Sequence, residues 1–133
     1  MAQTAQLRHI DTVENEAQRV FALQRQAYLR HPYPSYEERV DALKKLERIL
    51  VDNVDAIADA INTDFGCRCP EESKLLEIFT SVDGMRHTRK KLRAWIKPKR
   101  RHVSVLFATG KNRLIPQPKG LVGIVSPWNY PLF

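Results

Sequence analysis

Apolar positions recur with helical spacing through the first three quarters of the chain. From about Thr12 to Arg30, Val13, Ala17, Val20, Phe21 and Tyr28 share one face of a helix. Residues 1–11 lack this pattern and are expected to fray. His31-Pro32-Tyr33-Pro34 stops the first helix, because each proline disfavours α geometry in the residue before it. Ser35, with Glu38 three residues on, forms a capping box that opens a second helix. Loss of such a cap costs about 1 kcal/mol. The stripe Val40, Leu43, Leu46, Leu50, Val54, Ile57, Ile61 carries this helix from about residue 36 to 63, and Gly66 closes it. Pro70, Glu71 and Glu72 open a third helix over about 71–96, since proline suits a first turn and carboxylates suit the positive end of the dipole. Its stripe is Leu75, Phe79, Val82, Met85, Leu92 and Trp95, and Pro98 ends it.

After Pro98 the period changes. Val103-Ser104-Val105-Leu106-Phe107-Ala108 is β-prone, Thr109-Gly110-Lys111-Asn112 is a turn, and Arg113-Leu114-Ile115-Pro116 reads as a return strand. A β-hairpin is expected over about 103–116, with Pro116 at an edge or a strand end. Leu121-Val122-Gly123-Ile124-Val125 is apolar without polar alternation, as in a strand buried on both faces of a parallel α/β sheet. Such a strand needs neighbours and covering helices, and alone it would aggregate. The expected class is therefore α/β with an incomplete fold, as if this were the start of a larger protein. No internal repeat or low-complexity tract interrupts the chain.

Charge is unevenly placed. Residues 1–83 hold 10 basic and all 15 acidic residues, whereas residues 84–133 hold 12 basic and none acidic. Nine Lys and Arg fall between Arg86 and His102. A block of this kind binds nucleic acid, or is a solvated helix face with acidic partners elsewhere in the protein. Part of it sits at the negative end of the third helix dipole, which favours the structural reading. The only aromatic within it, Trp95, falls on the apolar stripe rather than among the bases.

Other classes are excluded. No apolar run reaches the roughly 18 residues that cross a bilayer, and Met1–Asn15 has no apolar core of a secretory signal. Two cysteines cannot build a disulfide framework, so a reducing, cytoplasmic home is expected. Cys67 and Cys69 form Cys-x-Cys with no second Cys/His pair, so they read as incidental loop thiols and no metal site is expected. His9, His31, His87 and His102 lack metal spacing and a partner nucleophile, and read as solvated.

The last stretch carries the most specific signal. Pro118-Lys119-Gly120 is followed by the apolar run 121–125 and then by Ser126-Pro127-Trp128-Asn129-Tyr130-Pro131. This order of turn, strand and Pro-Trp-Asn-x-Pro resembles the aldehyde dehydrogenase superfamily where a strand leads into the active site. Asn53, Ile57, Ala60, Asp64 and Gly66 resemble the family's long N-terminal helix and its exit, and Glu72 and Trp95 fit the next helix. Within the superfamily, Ala56–Ala60 with Asp64-Phe65-Gly66 is most similar to coniferyl-aldehyde dehydrogenases. The resemblance covers about Tyr28 to Phe133, and Lys119 departs from it by standing where the family usually has an apolar residue.

The resemblance implies a function. In the family a cysteine thiolate attacks an aldehyde, a hydride passes to NAD or NADP, and a glutamate activates the water that releases the acid. Asn129 matches the side-chain amide that holds the oxyanion, a role worth about 3–4 kcal/mol in comparable sites. Asn outside this motif is more often a turn residue. Val125, Ser126, Pro127 and Trp128 match positions lining the adenosine side of the cofactor, although Trp alone is more often a packing residue. The nucleophile and the general base have no counterpart in residues 1–133, so this chain alone is expected to be inactive. The implied division is 1–102 as the helical part of the cofactor-binding domain, 103–117 as the hairpin of an oligomerisation-type sheet, and 118–133 as the first strand and active-site loop of a Rossmann-like domain. The implied partners are a small-molecule aldehyde and, in the full-length form, identical subunits. Two other readings stay open: a basic helical module binding nucleic acid through 86–102, and a non-catalytic partner of full-length subunits.

Overall fold

The computed structural model describes residues 2–133, with side chains from residue 15 onward. The chain forms two units, one of residues up to Tyr33 with Pro118–Gly123, the other of Pro34–Gln117 with Ile124–Phe133.

The first unit is helix α1 (Ala2–Arg30) and the segment 118–123. The helix starts ten residues before the apolar pattern does, which corrects the expectation of a frayed stretch after Met1; Met1 itself lies outside the described residues. Ala2, Gln3, Ala5, Gln6, Leu7 and Arg8 are all strong helix formers, so propensity extends the helix where no stripe requires it. Tyr28 ties the unit together. Its hydroxyl donates to the Pro118 carbonyl at 3.4 Å, and its ring lies where a Cβ on Gly120 would come within 3.2 Å. Gly120 also has φ +92°, so both the close approach and the backbone require glycine.

The second unit begins with helix α2 (Tyr36–Asp52). The capping box forms as expected: Glu38 N donates to Ser35 Oγ at 3.1 Å, and Ser35 N donates to Glu38 Oε2 at 2.6 Å. The single long helix expected over 36–63 is divided. Asn53 leaves helical geometry at φ −120°, ψ 22°, and its Nδ2 donates to Ile49 O at 2.8 Å. An amide side chain that bonds the preceding turn competes with the backbone, which accounts for the break. Helix α3 (Val54–Phe65) then ends at Gly66, whose φ of +74° and N–H to Asn62 O at 2.7 Å make the expected left-handed cap.

The third helix is composite. Helix α4 (Pro70–Ser73) passes into a π-helical stretch, Lys74–Phe79, and then into helix α5 (Thr80–Ile96). The wider π turn rotates the buried face. Ser73, Glu77, Ile78, Val82 and Leu92 are buried, while Leu75 and Phe79, expected on the stripe, are about 60% exposed. Leu50, Ile78 and Val82 form a core cluster against which Val54, Ile57, Met85 and Leu132 pack. Leu132 follows the Pro-Trp-Asn motif by three residues, so the motif's loop is anchored in the core.

The hairpin exists but is shifted. Strands β1 (Lys99–Arg101) and β2 (Asn112–Leu114) pair antiparallel with Arg100 opposite Arg113. The expected first strand, 103–108, is instead a 3₁₀ turn at Val105–Phe107 in the connection. Phe107 N bonds to Ser104 O and Gly110 N to Phe107 O, so local turns satisfy a backbone that β propensity alone would have extended. The run Leu121–Val125 likewise forms no strand, because among the described residues no ladder partner reaches it. The Rossmann-like first strand is therefore not formed, and the fold is mostly helical with one two-stranded antiparallel sheet. No described helix is long and apolar enough to cross a membrane.

Three of the nine basic residues of the block find partners within this unit. Arg86 Nε and Arg89 Nη1 contact the two oxygens of Glu47 at 2.6 and 2.5 Å, and Arg93 lies 4.2 Å over the Tyr36 ring. Glu47 is an acidic partner of the kind that the structural reading of the block requires. The hydrogen bond from Arg86, opposed by burial and aided by Arg89, holds the Glu47 carboxyl below its ordinary value. A lowered folded value stabilises above the ordinary glutamate value of about 4.3 and is lost as pH falls through the lower folded one. Glu47→Gln should therefore lower Tm near neutral pH, and the gap from the unsubstituted protein should begin to narrow as pH falls below the ordinary glutamate value of about 4.3. A gap that stays constant into acid would contradict this assignment.

Candidate functional site: the Asn129 loop

Gly66 turns the chain at the end of α3 and sends Arg68 inward, where only 8% of the residue is exposed. The π turn of the next helix brings Glu77 inward as well, with no exposed surface. The two meet: Arg68 Nη1 lies 2.9 Å from Glu77 Oε1. This is a charge contact without hydrogen-bond alignment, since Glu77 Oε1 has no hydrogen-bond partner. A second carboxylate, Glu72, stands 3.7 Å from Arg68 Nη2.

Both members of this pair hold the loop at 126–133. Arg68 Nη1 donates to the Asn129 carbonyl at 2.8 Å, and Leu132 N donates to Glu77 Oε2 at 2.8 Å. The Arg68 guanidinium lies over the Phe65 and Tyr130 rings, 4.9 Å from each centroid. Such contacts strengthen when desolvated. Within the loop, Ser126 Oγ donates to Pro131 O at 2.5 Å. The backbone on either side of Tyr130 is thus fixed by side chains far off in sequence.

Asn129 itself is exposed, and its side-chain amide makes no hydrogen bond among the described residues. Its main chain is anchored and its amide is free, which suits a donor for an oxygen outside the chain. Val125 and Trp128 are 96% and 85% exposed, so the indole has an open face rather than a packing role in this unit. Pro127 is exposed, while the Ser126 hydroxyl proton is committed to Pro131 O. The segment 125–128 therefore offers open apolar and backbone surface, which fits an adenosine. It lacks the glycine-rich turn into a helix that cradles phosphates.

Nothing in the sequence assigns a role to Arg68 or Glu77, and Tyr130 enters only as the variable position of Pro-Trp-Asn-x-Pro. Glu77 had a signal, as the one charge in Leu75-Leu76-Glu77-Ile78-Phe79. Arg68 had none, because it sits in a short loop between two thiols. Cys67 and Cys69 are free and exposed. The Cys69 thiol donates to Glu71 Oε2 at 2.9 Å, which holds the Glu71 carboxyl below its ordinary value. Among the described residues no cluster of three or more His, Cys, Asp or Glu could hold a metal. His31, His87 and His102 are exposed, and the His9 side chain lies outside the described residues.

The model of the aldehyde dehydrogenase family matches residues 3–133. The chain belongs to the aldehyde dehydrogenase family. It is 38% identical to a probable coniferyl aldehyde dehydrogenase of Pseudomonas aeruginosa over 133 residues, which are all of this chain and 28% of that protein. It is 34% identical to a coniferyl aldehyde dehydrogenase of a Pseudomonas species over 108 residues, 81% of this chain and 22% of the relative. An aldehyde dehydrogenase family 3 member H1 of Arabidopsis thaliana is 32% identical over 72% of this chain and 20% of its own length. The chain thus spans between a fifth and three tenths of these relatives. No solved structure matches it.

Proposed function

We propose that this chain serves as the N-terminal part of an NAD- or NADP-dependent aldehyde dehydrogenase, with Asn129 as the donor to the substrate oxyanion. The observation that carries this reading is an anchored Asn129 main chain beside an unengaged, exposed side-chain amide. A carbonyl attacked by a thiolate gains negative charge on oxygen. An amide N–H aimed there lowers the barrier with little reorganisation. The thiolate and the water-activating glutamate of this reaction match no residue of 1–133, so the chain alone is inactive. Bound NAD or NADP would supply the hydride acceptor. Val125, Ser126, Pro127 and Trp128 would hold its adenosine side through backbone and indole surface, all of it open here.

The names of the Pseudomonas relatives favour coniferyl or another aromatic aldehyde as substrate. The free thiols Cys67 and Cys69 fit a cytoplasmic site of action. The hairpin 99–114, with its exposed Val105, Leu106 and Phe107, would join a contact sheet between identical subunits. Engagement of Arg86 and Arg89 by Glu47 weighs against the nucleic-acid alternative.

The intact mass of the natural product tests this reading. A mass several times 15.4 kDa, with aldehyde-dependent reduction of NAD or NADP, is the expected result. A natural product of 15.4 kDa would lack nucleophile and base and would overturn it.

A further inference from the structure

We infer that the buried Arg68–Glu77 pair is a positioning device for Asn129, setting where its amide points; this rests on the oxyanion reading above. Three observations carry it. The pair is almost wholly removed from solvent, at 6% and 0% side-chain exposure. Each member makes a hydrogen bond to the loop's main chain, one on each side of Tyr130. The Tyr130 ring, adjacent to Asn129, stacks on the same guanidinium. Arg68 therefore fixes the Asn129 carbonyl directly and the next residue through its ring.

The chemistry of the pair suits positioning more than stabilisation. A buried ion pair is often no better for stability than apolar residues of similar size. What it adds is direction: a planar guanidinium presents its donors in a fixed fork, and a carboxylate its acceptors in a fixed plane. The pair touches neither the oxyanion nor the cofactor in the proposed reaction, so it acts through Asn129. The π-helical stretch is what turns Glu77 inward, in keeping with the use of such irregular turns at functional sites.

The experiment uses the complete polypeptide that carries this chain, assayed with an aromatic aldehyde and NAD or NADP. Arg68→Lys keeps the charge but loses the fork and the planar stack. It should lower kcat about 10- to 100-fold, as expected of a small misplacement of a catalytic group. KM for aldehyde and for cofactor should stay within about twofold, and circular dichroism should be unchanged. In an Asn129→Ala background the same substitution should change kcat by less than about twofold, because the positioned amide is already gone. A purely structural role would instead give the same drop in both backgrounds, and that result would overturn the inference. So would a folded Arg68→Lys enzyme with full turnover. Should Arg68→Lys fail to fold, Glu77→Gln decides: it keeps an acceptor for Leu132 N, and its turnover should fall without adding to Asn129→Ala. Full turnover in a folded Glu77→Gln enzyme contradicts the proposal. If Asn129→Ala alone leaves turnover intact, the oxyanion reading fails first and this inference falls with it.

Discussion

Replacing Asn129 by alanine in the complete enzyme is expected to lower turnover by about 10²–10³-fold, the range seen when one oxyanion donor is removed. The side-chain amide makes no hydrogen bond among the described residues, so its loss should leave Tm unchanged. The Arg68 contact is to the Asn129 carbonyl, which alanine retains. Cofactor affinity should change little, because the surface at 125–128 proposed for the adenosine keeps its residues. Asn129→Asp should be at least as damaging, since a carboxylate repels the developing oxyanion. Steady-state kinetics with thermal denaturation of the same preparations checks this. A fall in Tm matching the fall in turnover would assign Asn129 to the fold instead.

The largest effect on stability should come from Glu77→Ala. Removing one partner of a buried ion pair leaves the other charge uncompensated and costs about 3–5 kcal/mol. Here Arg68 would remain at 8% exposure with only Glu72, 3.7 Å away, as a counter-charge. Leu132 N would also lose its acceptor, and Leu132 packs on the Leu50, Ile78, Val82 cluster. Removing both partners should be milder. Arg68→Leu with Glu77→Leu leaves no buried charge, and such exchanges are often neutral. Chemical denaturation of the single and double variants in the complete polypeptide should therefore show a double variant more stable than Glu77→Ala. A double variant that loses the sum of the two single losses would contradict this account of the pair.

Elements that depend on local chemistry were legible in the sequence. Ser35 with Glu38, Gly66, and Pro70 each act within a few residues, and each sits where its chemistry places it. The Pro-Trp-Asn-x-Pro motif carried the family resemblance, and the family model over residues 3–133 agrees with it. Features that depend on distant partners were not legible. The strand position depends on which segments can pair, so Lys99–Arg101 forms a ladder with Asn112–Leu114 while the more β-prone 103–108 turns. Leu121–Val125 has strand composition but no neighbour among the described residues. At the third helix, 3.6-residue periodicity places Val82 and Leu92 inside beyond the π turn, but the extra residue of that turn defeats it before them. Within it the pattern points to Leu75 and Phe79 where Glu77 and Ile78 are buried. Arg68 and Glu77 escaped notice because their role arises only when two helix ends and the loop meet.

The most direct measurement is the rate of NADH or NADPH formation by the complete polypeptide with coniferyl aldehyde, against a control without aldehyde. The account predicts cofactor reduction that requires aldehyde and yields the corresponding acid. A folded, complete polypeptide that reduces neither cofactor with coniferyl or any other aromatic or aliphatic aldehyde would contradict it.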